Sequence, residues 1–273
     1  MNERFPAIDR ALARRRFGRA AATYGDASRL ELEVGARLLE RLDYVKIAPR
    51  RILDAGSGSS REAQALARRY RGAQLIALDF ALPMLPRRSA VERWLGRGVI
   101  TVCGDFRCLP LAAGSVELIW CNLALHWASD PLPVFREFER VLAPAGLVFF
   151  STLGPDTLKE LRAAAGASRV HEFIDMHDLG DMLVAAGFSA PVMDMELITI
   201  DYGTGGRLLD DLRASGQTNA RVDRARGLAG RRFLDAFRAA PLRATFEVVY
   251  GHGWKRPPVD QGVKTVRVFK RIP

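Results

Sequence analysis

RILDAGSGSS, residues 51–60, is an apolar strand that ends on an acid and passes straight into alternating glycines. Gly56 and Gly58 give a backbone that lets a ligand approach closely. Two chemistries use such a turn. A dinucleotide site needs G-x-G-x-x-G with an acid about 20 residues on. Here Arg61 stands where the third glycine belongs, which argues against that reading. The other version has an acid two positions before the first glycine, followed by G-x-G-x-G. Asp54, Gly56 and Gly58 satisfy it, and Ser60 takes the last place. Serine is small and a good helix N-cap. Ser60 is therefore expected to cap the next helix, with its hydroxyl toward an anionic group. Its Cβ is expected to weaken binding without abolishing it.

The flanks repeat one pattern. Leu30, Val34, Leu38 and Leu42 recur every fourth residue, which predicts a helix over Arg29–Leu42. A second helix is predicted over Glu62–Tyr70, then a buried strand at Ala73–Asp79. A helix containing Met84 and Leu85 follows, delayed by the prolines of ALPMLPRRS. Strands at Val99–Asp105, Ser115–Asn122 and Gly146–Gly154 alternate with a helix from about Pro131 to Leu142. This is the signature of a Rossmann-like, doubly wound, mostly parallel α/β sheet. Beyond Gly154 come helices in PDTLKELRAAAG and DMHDLGDMLVAAGF, the latter closed by Gly187. A sixth strand is expected in VMDMELITIDY and a seventh in TFEVVYGHGW. Between them lies an Arg-rich helical insertion, about residues 204–240. Residues 1–254 read as one domain and 255–273 as a basic tail, with a linker in KRPPVDQG and a short edge strand in KTVRVF.

Ligands of an open parallel sheet bind beyond the carboxyl ends of its strands. Those ends carry Asp54, then Asp79, then Asp105 with Phe106 beside it, then Asn122. Asp79 is placed to accept both hydroxyls of a ribose and Asp105 an exocyclic adenine amine. Carboxylates repel a phosphate and attract a sulfonium or an ammonium. Four such strand ends in order suit an adenosine that carries no phosphate, and the set resembles the class I S-adenosylmethionine (SAM)-dependent methyltransferases.

The bulk composition bounds the partners. The chain has 273 residues, a formal charge of +10 and a pI near 10.1, and only Lys46, Lys159, Lys255, Lys264 and Lys270 are lysines. The arginines either cover solvated helices or meet an acidic partner such as RNA, a phosphorylated cofactor or an acidic carrier protein. Cys103, Cys108 and Cys121 lack zinc spacing and fit a reducing cytoplasm. Neither a secretory h-region nor a run long enough to cross a membrane is visible. Nucleic acid is disfavoured, because no RNA-binding module or aromatic-interleaved basic motif occurs.

Further segments sharpen the likeness. FGRAAATYGDASRLELEVGARLLERL, CNLALHWASDPLPVFREFERVLAPAGLVFFSTLGPDTLKELR, FIDMHDLGDMLVAAGF, DLRASGQTNA, RGLAGRRFL and TFEVVYGHGW resemble the malonyl-[acyl-carrier protein] O-methyltransferase family of biotin synthesis. The likeness runs from about Arg16 to Trp254. The departures are Ser59–Ser60 for the usual Thr-Gly, and Ala145 where Pro-Gly-Gly is common. The resemblance implies a seven-stranded sheet with an antiparallel last strand, and SAM as methyl donor. It further implies that the acceptor is the free carboxylate of a malonyl thioester, on acyl-carrier protein or coenzyme A. A carboxylate is ionised at neutral pH and needs no general base, so no acid–base catalyst and no metal are expected. The acceptor pocket is expected to draw on His126, Trp127 and Tyr24, with Arg213, Arg16 or Arg19 binding the substrate carboxylate. Arg221, Arg224, Arg226, Arg231 and Arg232 form the densest basic run and read as a docking face for the acidic carrier. Methylation of a quinone ring or a small free acid on the same core, and a SAM-binding RNA-associated pseudoenzyme, are the competing readings.

Overall fold

The computed structural model describes residues 7–86, 98–225 and 231–257. Seven strands form one sheet: β1 (Arg51–Ala55), β2 (Gln74–Asp79), β3 (Ile100–Cys103), β4 (Val116–Cys121), β5 (Leu142–Leu153), β6 (Phe188–Asp201) and β7 (Arg243–Lys255), in the spatial order β3-β2-β1-β4-β5-β7-β6. Pairing is parallel from β3 through β5, and β7 runs antiparallel between β5 and β6. The order reverses between β1 and β4, so ligands are directed to the carboxyl ends of those two strands.

Alternation along the central strands feeds two cores. Ile119 and Cys121 of β4, with Val148 and Phe150 of β5, face one side; Leu118 and Trp120, with Leu147 and Phe149, face the other. The first face is covered by α5 (Leu132–Val141) through Val134, Phe135 and Phe138, and by α7 (Met176–Ala185) through Leu179 and Leu183. The second is covered by α3 (Arg29–Arg41) through Val34 and Leu38, by α4 (Arg61–Arg69) through Leu66, and by α6 (Lys159–Ala165) through Leu161. Leu208 of α8 (Gly205–Ala214) and Phe237 of α9 (Arg231–Ala239) bring the insertion between β6 and β7 onto that same face. Helices α1 (Arg10–Ala20) and α2 (Tyr24–Ala27) precede α3. Ile8 bridges to Arg221 of the insertion, which ties the N-terminal segment to it.

Two expectations change. Met84 lies in a 3-10 turn, Leu82–Met84, and Leu85 after it is extended; residues 87–97 fall outside the described residues. Lys255 belongs to β7, paired with Phe188, with its Nζ on the Glu139 carbonyl at 2.7 Å, rather than to a tail. The linker from Pro258 and the KTVRVF strand lie outside the described residues. Ala145 takes the left-handed conformation, φ 58°, where glycine is usual, and the β4–β5 register slips beside it, between Val116 and Leu118.

Candidate active site

The turn after β1 is shaped by backbone conformation. Gly56 and Gly58 have φ 81° and 49°. The Gly56 and Ser57 amides both donate to the Leu78 carbonyl, at 2.8 and 2.9 Å. Asp79 does what a strand-end carboxylate can do for a loop: one oxygen accepts from the Gly58 amide at 3.0 Å, the other from the Ala81 amide at 2.8 Å.

Ser60 departs from its expected role. It sits in the left-handed region, φ 59° and ψ 29°, and makes no side-chain cap bond. Its hydroxyl meets Ser57 Oγ at 3.3 Å. An N-cap needs extended backbone, and this position instead requires the conformation that glycine adopts freely. The Cβ costs about 1 kcal/mol there. Ser60→Gly is accordingly expected to raise unfolding stability by about 0.5–1 kcal/mol, read as a higher urea midpoint at unchanged slope.

The strand-end acids gather around the turn with few compensating charges. Asp54 is 1% exposed, and its Oδ2 has no hydrogen-bond partner. Burial pushes Asp54 well above the usual carboxylate range, with Glu62 and Asp79 adding repulsion. Burial likewise lifts Asp79 to about 6 and raises Glu62. The Tyr24 hydroxyl is also raised, first by burial and then by Glu31, Glu62, Asp79 and Asp54. Among the described residues, neither Asp54 nor Asp79 forms an ion pair with lysine or arginine. A cation is the natural occupant of such a cleft.

Two other predicted ligands have protein partners. Asp105 is held by Arg10 and by Arg107, whose amide and Nε reach Oδ1 at 2.9 and 3.2 Å. Asn122 is fully engaged: its Nδ2 donates to the Glu31 carbonyl at 2.9 Å and to Glu62 Oε1 at 3.2 Å, and its Oδ1 accepts from Ser151 Oγ at 2.7 Å. Both line the cleft, together with Phe106, Gly56, Gly58 and Asp79. The cleft encloses only about 60 Å³, and Phe17 and Tyr24 of the N-terminal segment are part of its lining. The Tyr24 ring comes within 3.2 Å of where a Cβ on Gly58 would stand.

A chamber of about 600 Å³ adjoins the cleft. Leu123, Trp127 and Gln217 line both cavities and form the seam between them. Leu123 and Trp127 follow β4, whereas Gln217 comes from the insertion. Trp127 is fixed by Phe17 at 5.0 Å and His171 at 4.9 Å between ring centroids, yet its buried indole nitrogen has no partner among the described residues. His126 also lines the chamber, and its Nδ1 is buried and unpartnered. Burial first, and His171 second, lower His126 to about 3, so it is neutral at physiological pH.

That shift has a sign in stability. The unfolded chain takes up the His126 proton near pH 6.5 and the folded chain does not. Stability from this group is present above pH 6.5 and is lost as pH falls toward 3. His126→Gln is expected to lose less stability than wild type between pH 6.5 and 5, by roughly 2 kcal/mol, in denaturation curves at each pH. His171, lowered to about 4 mainly by burial, contributes the same sign in both proteins.

The predicted arginines divide. Arg16 lines the chamber, and its Nη1 donates to the carbonyls of Thr218 at 3.0 Å and Asn219 at 2.6 Å. Arg213 also lines it but pairs with Asp210 at 2.9 Å. Arg19 is exposed and lines neither cavity. Arg221 is not a docking residue: it is 6% exposed and bound to Glu172 at 2.8 Å and Asp223 at 2.7 Å. It holds the insertion to the Val170–Glu172 segment. Arg224 lines the chamber, Arg226 lies outside the described residues, and of Arg231 and Arg232 only the helical backbone is described. Glu31 and Gln217, bonded to each other, were not singled out from the sequence.

Comparisons with known proteins place the fold and the family. Residues 53–150 match the methyltransferase domain family. YcgJ of Bacillus subtilis has a similar fold, TM-score 0.57 at 22% identity over 80% of this chain and 97% of that one. A SAM-dependent methyltransferase of Thermotoga maritima superposes at TM-score 0.55 and 15% identity, over 89% and 100%. The malonyl-[acyl-carrier protein] O-methyltransferase of Methylovorus sp. is 49% identical over 97% of this chain and 96% of its own. That of Gallionella capsiferriformans is 46% identical over 92% of each. At that identity and coverage, the chain belongs to the malonyl-[acyl-carrier protein] O-methyltransferase family.

Proposed function

We propose that this chain transfers a methyl group from SAM to the free carboxylate of a malonyl thioester carried by acyl-carrier protein, giving the methyl ester that primes pimeloyl synthesis for biotin. The observation that carries the reading is the seam, where an acid-lined glycine-turn cleft meets a chamber with arginines in its wall. Asp105 and Phe106 at β3, Asp79 at β2 and Gly58 at β1 are the residues that would hold the adenosyl part. Asp54, whose Oδ2 has no hydrogen-bond partner among the described residues, and its buried acidic neighbours suit the donor's positive charge. Bound there, the donor supplies an electrophilic methyl on a sulfonium.

The residues of this chain then have three tasks. Small-molecule pockets run to about 300–1,000 Å³, so wall residues such as Phe17 and Tyr24 must move as the donor enters. Leu123 and Trp127 keep water from the seam, and the Trp127 indole donates a hydrogen bond to the incoming carboxylate. Arg16, held by two carbonyls, neutralises that carboxylate at the chamber wall. The acceptor is already ionised and needs no base. Alignment and exclusion of water are what the protein contributes. Esterification removes the acceptor's charge, which weakens its attraction to Arg16 and favours release. Arg29, Arg213 and Arg224 at the chamber wall suit an acidic carrier.

The test incubates the full chain with methyl-labelled SAM and, separately, malonyl-carrier protein, malonyl-coenzyme A, a free small acid and RNA. Label in a base-labile ester on the carrier protein supports the reading. Label confined to the free acid or to RNA rejects it.

A further inference from the structure

Glu31 lies in the first turn of α3 and is 8% exposed, and among the described residues it has no lysine or arginine partner, a rare setting for a carboxylate. Its Oε1 accepts from Gln217 Nε2, across from the insertion. Its carbonyl accepts from Asn122, the residue that ends β4. Gln217 and Asn122 both line the donor cleft, and Glu31 itself lines the chamber. Glu31 is therefore fastened at the seam by one residue that ends β4 and one from the insertion. The groups that face it are Glu62 of α4, Asp211 of α8, Tyr24, Tyr202 and Gln217. Arg29, on the same helix, is exposed. The unpartnered Asp54 Oδ2 shares this surplus of negative charge through Glu62.

The strand order says which part of the donor comes here. β3 and β2 bring Asp105 and Asp79 to one end of the cleft; β4 brings Asn122, Leu123 and Trp127 to the other. If the nucleoside lies toward β3, its amino-acid arm reaches the seam. We propose that Glu31, steadied by Gln217, is the carboxylate that receives the ammonium of that arm and so sets the affinity for the donor. The inference rests on the donor reading above. Burial, opposed by its hydrogen bonds and reinforced by Glu62, holds Glu31 at about 7 in the unliganded chain. An incoming ammonium favours the ionised form, so binding strengthens as pH rises toward 7.5. Asp79, at about 6, titrates in the same window and gives a smaller slope of its own.

The experiment is calorimetric titration of the full chain at pH 5.5, 6.5 and 7.5 with SAM, with S-adenosylhomocysteine, and with 5′-methylthioadenosine, which lacks the amino-acid arm. Wild type is expected to bind the first two roughly tenfold more tightly at pH 7.5 than at 5.5. Glu31→Gln, which keeps size and a hydrogen-bond acceptor, should show only the shallower slope. Methylthioadenosine should show that shallower slope with both proteins. Glu31→Ala should bind SAM at least tenfold more weakly at pH 7.5, with circular dichroism showing that it is folded. Parallel pH profiles for wild type and Glu31→Gln overturn the assignment while leaving the donor reading intact. No binding of SAM to wild type at any pH overturns both.

Discussion

Gly56→Ala is expected to cost about 2–4 kcal/mol of unfolding stability and to weaken donor binding at least tenfold. Two separate terms add. The backbone sits at φ 81°, where an L side chain costs about 1 kcal/mol. The new methyl would then stand 2.3 Å from Ala124 Cβ, and relieving such overpacking costs about 1–3 kcal/mol. Ala124 adjoins the seam residue Leu123, so the push is transmitted to the site. Gly72→Ala separates the terms: its φ is 92°, but nothing lies within 4 Å, so only the conformational cost of about 1 kcal/mol should appear. Gly56→Ala combined with Ala124→Gly should recover the packing term and leave the backbone term. Urea denaturation and SAM titration of the four proteins check this. Equal losses at Gly56 and Gly72 would show that Ala124 yields freely.

Trp127→Phe is expected to lower kcat/KM for the carrier-bound acceptor by roughly 100-fold or more, with the SAM Kd within about twofold of wild type. Phenylalanine keeps an aromatic ring against Phe17 and His171 and deletes one N–H. That N–H is buried without a partner at the junction of the two cavities. Removing one oriented donor from a water-excluded site typically costs factors of 10² or more. A fall in SAM affinity matching the fall in kcat/KM would mean that the indole packs the donor instead. Unchanged kcat/KM would mean that the indole does not touch the acceptor.

The strand ends were legible because buried parallel strands are short apolar runs and their last residues must face the ligand rim. Asp54, Asp79, Asp105 and Asn122 therefore fell into one row from spacing alone. At position 60 residue type suggests a cap, whereas the φ of that position is imposed by the turn before it. A dense basic run reads the same whether its members point to solvent or, as Arg221 does, into Glu172 and Asp223. Glu31 and Gln217 lie 186 positions apart, and no local pattern joins them. Their pairing depends on the insertion folding back over α3, which is tertiary information. One signal was present: Glu31 occupies the buried face of its helix, beside Val34 and Leu38, where an acid is out of place.

The most direct test of the seam uses the donor itself. In full-length protein saturated with SAM carrying ¹³C on the transferable methyl, nuclear Overhauser contacts should connect that methyl to the Leu123 methyls and the Trp127 indole N–H. Contacts from the methyl to Phe106 instead, with none to Leu123 or Trp127, would place the reacting group at the wrong end of the cleft and contradict the account.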